Sequence, residues 1–168
     1  TCYRTAIERG ADIIVMVHPD HQYDPKAIPD LIAPILDGRA DAVFGSRMMK
    51  PRNALRGGMP WWKFIGNIVL TQLANLRLGF RLTEYHSGFR AYSRRVLETL
   101  PLEQNSDAFV FDTEIILQLL QYNFRIVEVP IATRYFKEAS SVSFWGSVRY
   151  GFDILGRLWK FHNHPPRS

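Results

Sequence analysis

A chain of 168 residues is long enough for one domain with a buried core, and 46% hydrophobic with 13% aromatic residues excludes a disordered or low-complexity polymer. The single cysteine, Cys2, excludes an internal disulfide framework and fits a reducing, cytoplasmic setting, and no apolar run approaches the roughly 18 residues of a membrane span. A net charge of +5 points to anionic partners: nucleic acid, phosphorylated substrates or anionic lipid.

Residues 1–9 read as the end of a helix stopped at Gly10. Asp12 to Val17 is a continuous apolar run, the mark of a strand buried on both faces of a parallel sheet. The polar stretch His18-Pro19-Asp20-His21-Gln22 follows, and Asp24-Pro25 supplies an N-cap and a first-turn proline. Ile28, Leu31, Ile32, Ile35 and Leu36 then repeat at helical spacing up to Gly38, and Asp41 to Gly45 reads as the next strand. This is a β–loop–α–β unit of a parallel α/β sheet.

Residues 48–61, with two prolines, two glycines and the bases Lys50, Arg52 and Arg56, read as a mobile loop. Trp62 to Leu78 reads as a helix whose buried face is Ile65, Ile68, Val69, Leu73 and Leu76. Thr83 to Ser93 is a turn feeding a short strand, and Ser93 caps a helix to Leu100. Phe111 to Tyr122 is a further helix, and Arg125 to Val129 a strand ended by Pro130. From Ser143 to Phe161 aromatic and basic residues alternate at roughly helical spacing, and the terminal His162-Asn163-His164 reads as a frayed tail. No repeat or second domain is visible.

Ligands of open α/β sheets bind beyond the carboxyl ends of strands, which is where Asp20 and Gln22 lie. In an extended stretch residues 18, 20 and 22 point to one side, so His18, Asp20 and Gln22 are candidate ligands for Mg²⁺ or Mn²⁺, with substrate phosphates completing the octahedron. The competing reading gives Asp20 and Asp24 only turn and cap hydrogen bonds.

The stretch from Ala11 to Arg47 resembles the centre of family 2 glycosyltransferases, in particular their polyprenyl-phosphate, dolichyl-phosphate mannose synthase-like branch. Asp20 and Gln22 match the second aspartate and the glutamine of an Asp-x-Asp-x-Gln motif, and Gly45-Ser46-Arg47 matches a later one. Glu84 to Arg90 is similar to an Asp-x-x-Ser-Gly-Phe-Arg segment, and Phe111 to Glu114 and Glu128 to Ile131 match two further elements in order. Two positions depart: His18 stands where the family has its first aspartate, and Glu84 replaces another.

The resemblance implies an α/β fold of GT-A type, a Rossmann-like, mainly parallel sheet flanked by helices. It makes residues 1–168 the C-terminal part of one such domain, with a core over 1–136 and an amphipathic helix and tail over 137–168. The first βαβ half, with its nucleotide-gripping strands, has no match here. The implied activity is transfer of a sugar from a nucleotide-diphosphate donor, with inversion and a divalent metal, to a lipid-phosphate or glycan acceptor. A sugar-nucleotide-binding scaffold without activity is the alternative, and no motif supports a nucleic-acid binder.

In that scheme Arg47 contacts phosphate, against a plain surface arginine, and Glu84 is general base or acceptor-positioning group, against an exposed turn carboxylate. His86 is a weaker candidate base. Arg90 makes an internal ion pair or a phosphate contact, and Lys63 is a base placed to meet a lipid phosphate. Arg134, with Tyr135 and Phe136, contacts phosphate from a lid-like segment or sits in an ordinary connector. Trp61, Trp62 and Phe64, and Trp145, Tyr150, Phe152 and Trp159 with Arg149, Arg157 and Lys160, touch the inner face of a membrane or pack on the sheet.

Overall fold

The computed structural model describes residues 2–105, 111–135 and 144–160. The elements follow in the order α1 (Cys2–Glu8), β1 (Ile13–Met16), α2 (Ile28–Leu36), β2 (Ala42–Ser46), α3 (Pro51–Arg56), α4 (Trp61–Leu78), β3 (Arg90–Ser93), α5 (Arg94–Thr99), α6 (Phe111–Gln121), β4 (Ile126–Pro130) and α7 (Phe144–Lys160). The capping signals act as read: Asp24 accepts from the Lys26 amide at 3.0 Å to open a 3₁₀ turn ahead of α2, and Ser93 accepts from Val96 at the start of α5.

The four strands form one sheet in the order β1-β3-β2-β4. β2 runs parallel to β4, and β3 runs antiparallel to both β1 and β2, so β1, β2 and β4 all point one way. The helix-flanked α/β fold is therefore observed, but the described sheet is mixed and two of its three pairings are antiparallel, because one reversed strand stands between the two strands of the β–loop–α–β unit. An apolar run carries no sign of strand direction, which is why this insertion was not readable. Core residues lie on both faces. One layer holds Phe44, Tyr92, Ile115, Ile116, Leu119 and Ile154, and the other Leu31, Val43, Phe89, Ala91 and Ile131.

Three expectations are corrected. β1 is half-buried rather than enclosed on both faces, because it lies at the edge of the described sheet, whereas all five residues of β2 are buried. Residues 48–61 are not a featureless loop: Pro51 opens α3, and Met48, Ala54 and Met59 pack with Phe64 and Tyr135 in a small core of their own. The third concerns α4. Ile65, Ile68, Val69, Leu73 and Leu76 face outward, Leu76 with 84% of its surface exposed, while Asn67, Thr71 and Ala74 are buried. Leu36 of α2 is likewise exposed.

One row of the sheet aligns Met16, Arg90, Phe44 and Glu128 across all four strands. The chain leaves β1, β2 and β4 just beyond this row and enters β3 there. Residues 17–24, 47–49, 84–89 and 131–135 are thereby gathered along one edge.

Candidate functional site

Arg47 follows β2 directly. Its backbone amide donates to one oxygen of Glu84 at 2.7 Å and its Nε to the other at 2.7 Å, while Nη2 closes an ion pair with the same carboxylate. Asn67 Nδ2 of α4 donates to Glu84 at 2.7 Å, and Thr71 braces Asn67 from one turn further along the helix. This explains the inverted α4: its polar residues face inward because the adjoining interior is a charged network that must be hydrogen-bonded. Burial pushes the Glu84 carboxyl up, but the Arg47 charge and these hydrogen bonds outweigh it and hold it below the usual carboxylate range. Only 1% of Glu84 is exposed. It is not an exposed turn carboxylate, and as a general base it lacks access; its visible task is to hold Arg47.

The segment around Glu84 is tied to its neighbours from three sides. Glu128 of β4 accepts from the Thr83 amide at 2.7 Å, the Thr83 hydroxyl at 2.8 Å and the Glu84 amide at 3.0 Å. Ser46 shares a 2.6 Å hydrogen bond with Thr83 and accepts from the amides of Met48 and Met49. Arg90 is also 1% exposed and gives its guanidinium to the carbonyls of Ser87, Tyr85 and Asp112 at 2.7–2.9 Å, with its Cζ 4.8 Å over the Phe44 ring. The expectation that Arg90 contacts phosphate is corrected. Its donors are spent on shaping the 84–89 turn, and of its two readings the internal one holds, with Asp112 3.6 Å away.

A cavity of about 470 Å³ opens beside this network. Arg47, Lys63, His86, Gln22 and Tyr135 line its polar part, and Leu70 of α4 with Val148, Phe152 and Leu155 of α7 its apolar part. Arg47 Nη1 donates to the Tyr135 hydroxyl at 2.7 Å, so the guanidinium is fixed at the wall. Burial, and after it the nearby Arg47 charge, push the Lys63 ammonium below its ordinary value. His86 presents a different problem. Both ring nitrogens are shut from solvent without a protein partner among the described residues, and burial pushes the imidazole down to about 4. Each orphaned group costs about 1–3 kcal/mol.

The metal-loop expectation needs correcting in its geometry. Residues 18–22 are not extended: Pro19 and Asp20 form a turn, His21 is left-handed with φ 56°, and Asp20 Oδ1 accepts from the Gln22 amide at 3.0 Å. The one-sided alternation of residues 18, 20 and 22 is lost. The exposed His18 ring instead lies against Gly88, so closely that a Cβ there would force the ring to shift. Asp20 Oδ2 has no protein partner among the described residues, and Gln22 lines the cavity. The set fits a divalent ion in part: among the described residues no three His, Cys, Asp or Glu side chains gather to hold one, so most ligands have to come from a bound phosphate or water. The Arg134 side chain is exposed, and its amide donates to the Gln22 carbonyl at 3.1 Å, setting it beside this loop.

Residues 9–100, more than half of the chain, match the profile of Glycosyl transferase family 2. The chain belongs to this family. It is 32% identical over 158 residues to the UDP-N-acetylglucosamine–dolichyl-phosphate N-acetylglucosaminyltransferase of Methanococcus voltae, covering 94% of this chain and 61% of that protein. It is 28% identical over 126 residues to the polyprenol monophosphomannose synthase of Mycolicibacterium smegmatis, covering 74% of this chain and 46% of that one. The crystal structure of M. tuberculosis glucosyl-3-phosphoglycerate synthase superposes with a TM-score of 0.64 at 19% identity, over 98% of this chain and 54% of that one. The same enzyme in complex with Mn²⁺, uridine-diphosphate and phosphoglyceric acid superposes at 0.62. That likeness is one of fold, and it places the chain among GT-A structures. The chain spans about half the length of the relatives it matches.

Within this family 2 chain, sequence reasoning located Arg47, Glu84, Lys63 and Gln22 at one site, but missed three of its builders. Asn67 was passed over because polar helix residues are ordinarily solvated, Tyr135 because it stood only in a presumed lid, and Glu128 because its motif named no task. Phe136 of the lid-like segment and the terminal His162-Asn163-His164 lie outside the described residues.

Proposed function

We propose that this chain forms the acceptor side of an enzyme that transfers a sugar, with inversion, from a nucleotide-diphosphate donor to a polyprenyl phosphate. One observation carries the reading: a single cavity joins a cationic end, Arg47 and Lys63, to an apolar stretch between α4 and α7. A phosphate bearing a hydrocarbon chain has that same division. The names of the two relatives, a dolichyl-phosphate transferase and a polyprenol monophosphomannose synthase, agree with it.

The chemistry follows from the residues. An acceptor phosphate is ionised near pH 7, so its oxygen attacks the anomeric carbon without a general base, and a Glu84 locked to Arg47 is no handicap. Glu84 and Tyr135 hold Arg47 in position, and Arg47 and Lys63 orient the acceptor oxyanion and offset its charge. Asp20, helped by Gln22 and by His18, would hold Mg²⁺ or Mn²⁺, which when bound supplies positive charge against the leaving diphosphate. Arg134 stands beside that loop as a second cation for the donor phosphates.

Peripheral contact with a membrane belongs to the same proposal. No helix among the described residues is long and apolar enough to cross one. The outward faces of α4 and α7, which flank the cavity, nonetheless carry large exposed apolar side chains, with Trp145, Phe152 and Trp159 exposed by 78%, 71% and 81%. A lipid-borne acceptor entering between two such helices never has to leave the interface.

The test is transfer from labelled nucleotide sugars to a short polyprenyl phosphate with Mn²⁺ and purified protein, read by chromatography of the lipid product. Arg47→Ala and Asp20→Ala should each abolish transfer. Nucleotide-sugar binding with no transfer to any prenyl phosphate would sink the reading.

A further inference from the structure

The acceptor reading leaves one cavity residue without a task. His86 lines the cavity, its carbonyl oxygen is 3.4 Å from Arg47 Nη2, and its ring stands edge-on to Tyr150 of α7 at 5.9 Å. Glu84, Arg47, Arg90 and Tyr150 surround it, yet none gives either ring nitrogen a hydrogen bond. Buried polar groups are normally paired, and one that the fold leaves unpaired beside a ligand cavity is waiting for a partner from outside the protein.

We infer that His86 is an acceptor-binding residue, whose ring N–H is taken up by the phosphoryl group of the bound prenyl phosphate. The inference rests on the acceptor reading above. A half-turn of the ring about Cβ–Cγ exchanges each nitrogen with a ring carbon at no cost in volume, and in the inferred complex this turn is how a nitrogen is offered to the ligand. The neutral ring carries a single N–H donor, which adds direction to the charge already supplied by Arg47 and Lys63. It also selects a phosphate over a bare prenyl alcohol, since the alcohol offers fewer acceptor oxygens at that point. Tyr150 on α7 and His86 on the sheet edge then meet the same ligand from opposite walls.

Titration calorimetry with geranyl phosphate, geraniol and uridine diphosphate, on the purified protein and on His86→Leu and His86→Gln, tests this. His86→Leu should bind geranyl phosphate about tenfold more weakly, the worth of one hydrogen bond to a charged group. Geraniol and uridine diphosphate should bind it as before, and His86→Gln, which restores a donor, should recover part of the loss. His86→Leu should not lower the thermal midpoint, since it removes an unpaired polar ring. Unchanged phosphate binding in His86→Leu, or equal losses for the phosphate and the alcohol, overturns the role of His86 alone. Weaker uridine diphosphate binding moves His86 to the donor and also overturns it. A wild-type protein that binds the phosphate no better than the alcohol removes the acceptor reading itself, and this inference with it.

Discussion

Arg47 grips Glu84 twice, once through its backbone amide and once through its guanidinium, each contact at 2.7 Å. The backbone bond means that moving Glu84 also moves the end of β2. Glu84→Gln should therefore cost about 3–5 kcal/mol in urea unfolding, the penalty of an arginine buried without its counter-ion. A Glu84→Leu, Arg47→Met double variant should regain much of that stability while transferring no sugar, because apolar replacement of a buried pair is often close to neutral. Full activity in the double variant would show that Arg47 is structural.

The features of this network that escaped the sequence share a cause. Periodicity tells which face of a helix is uniform, not which neighbour it meets. In α4 the apolar face was assigned to the core because cores are usually apolar, but the neighbour of α4 is the Glu84 carboxylate, so Asn67 and Thr71 turn inward. Arg90 failed similarly: a motif arginine reads as a phosphate ligand until its three carbonyl partners are seen. The short-range signals, such as Asp24 and Ser93 as caps, Pro51 as a first-turn residue and the apolar run of β2, were legible because they act within a few residues. So was the placing of Gln22 and Arg47 along one edge of the sheet, where both line the cavity, because each follows the carboxyl end of a strand.

Gly45 is squeezed within β2. A Cβ there would sit 2.9 Å from Ile131 Cγ2 and 3.0 Å from the Phe89 carbonyl, to which the Gly45 amide is bonded at 2.8 Å. Gly45→Ala should destabilise by about 1–3 kcal/mol through overpacking, read as a lower thermal midpoint. It should also reduce transfer, since the displaced backbone carries Arg47.

Asp20 is the only carboxylate of the 18–22 loop, so metal affinity should depend on it far more than on His18. In calorimetry with Mn²⁺ and uridine diphosphate, Asp20→Asn should weaken metal-dependent nucleotide binding by about a hundredfold and His18→Ala by about tenfold or less. Equal losses would make the imidazole a full ligand.

His86 predicts a pH dependence with a defined sign. Burial lowers its folded pKa to about 4, against an ordinary value near 6.5 in the unfolded chain. Between those values the unfolded state binds the extra proton, so stability rises with pH: it is fully present above about 6.5 and is lost as pH falls towards 4. The loss should approach about 3 kcal/mol, and unfolding curves of His86→Leu should lack that component. A stability profile for His86→Leu that parallels the wild type between pH 6.5 and 5 would place the titration elsewhere.

The outward faces of α4 and α7 make the last prediction. Trp145, Phe152 and Trp159 recur every seven residues, which brings them to one side of α7, and Arg149 shares that exposed side. On α4, Trp61, Ile65, Ile68, Val69 and Leu76 form a second apolar stripe, and the two helices pack against each other around the cavity. Apolar area of this extent is costly in water and is withdrawn from it by a bilayer interface, while Arg149 and neighbouring bases favour anionic headgroups. The protein should float with vesicles containing anionic lipid, less so as salt is raised. Replacing Trp145 and Trp159 together by serine, with the cavity residue Phe152 left in place, should reduce the bound fraction about tenfold without lowering the unfolding midpoint, because both side chains are largely exposed. Transfer to a short, water-soluble prenyl phosphate should survive in that variant, while transfer to a long one held in vesicles should fall. A parallel fall for both acceptors would mean that the stripe supports the cavity and not the membrane.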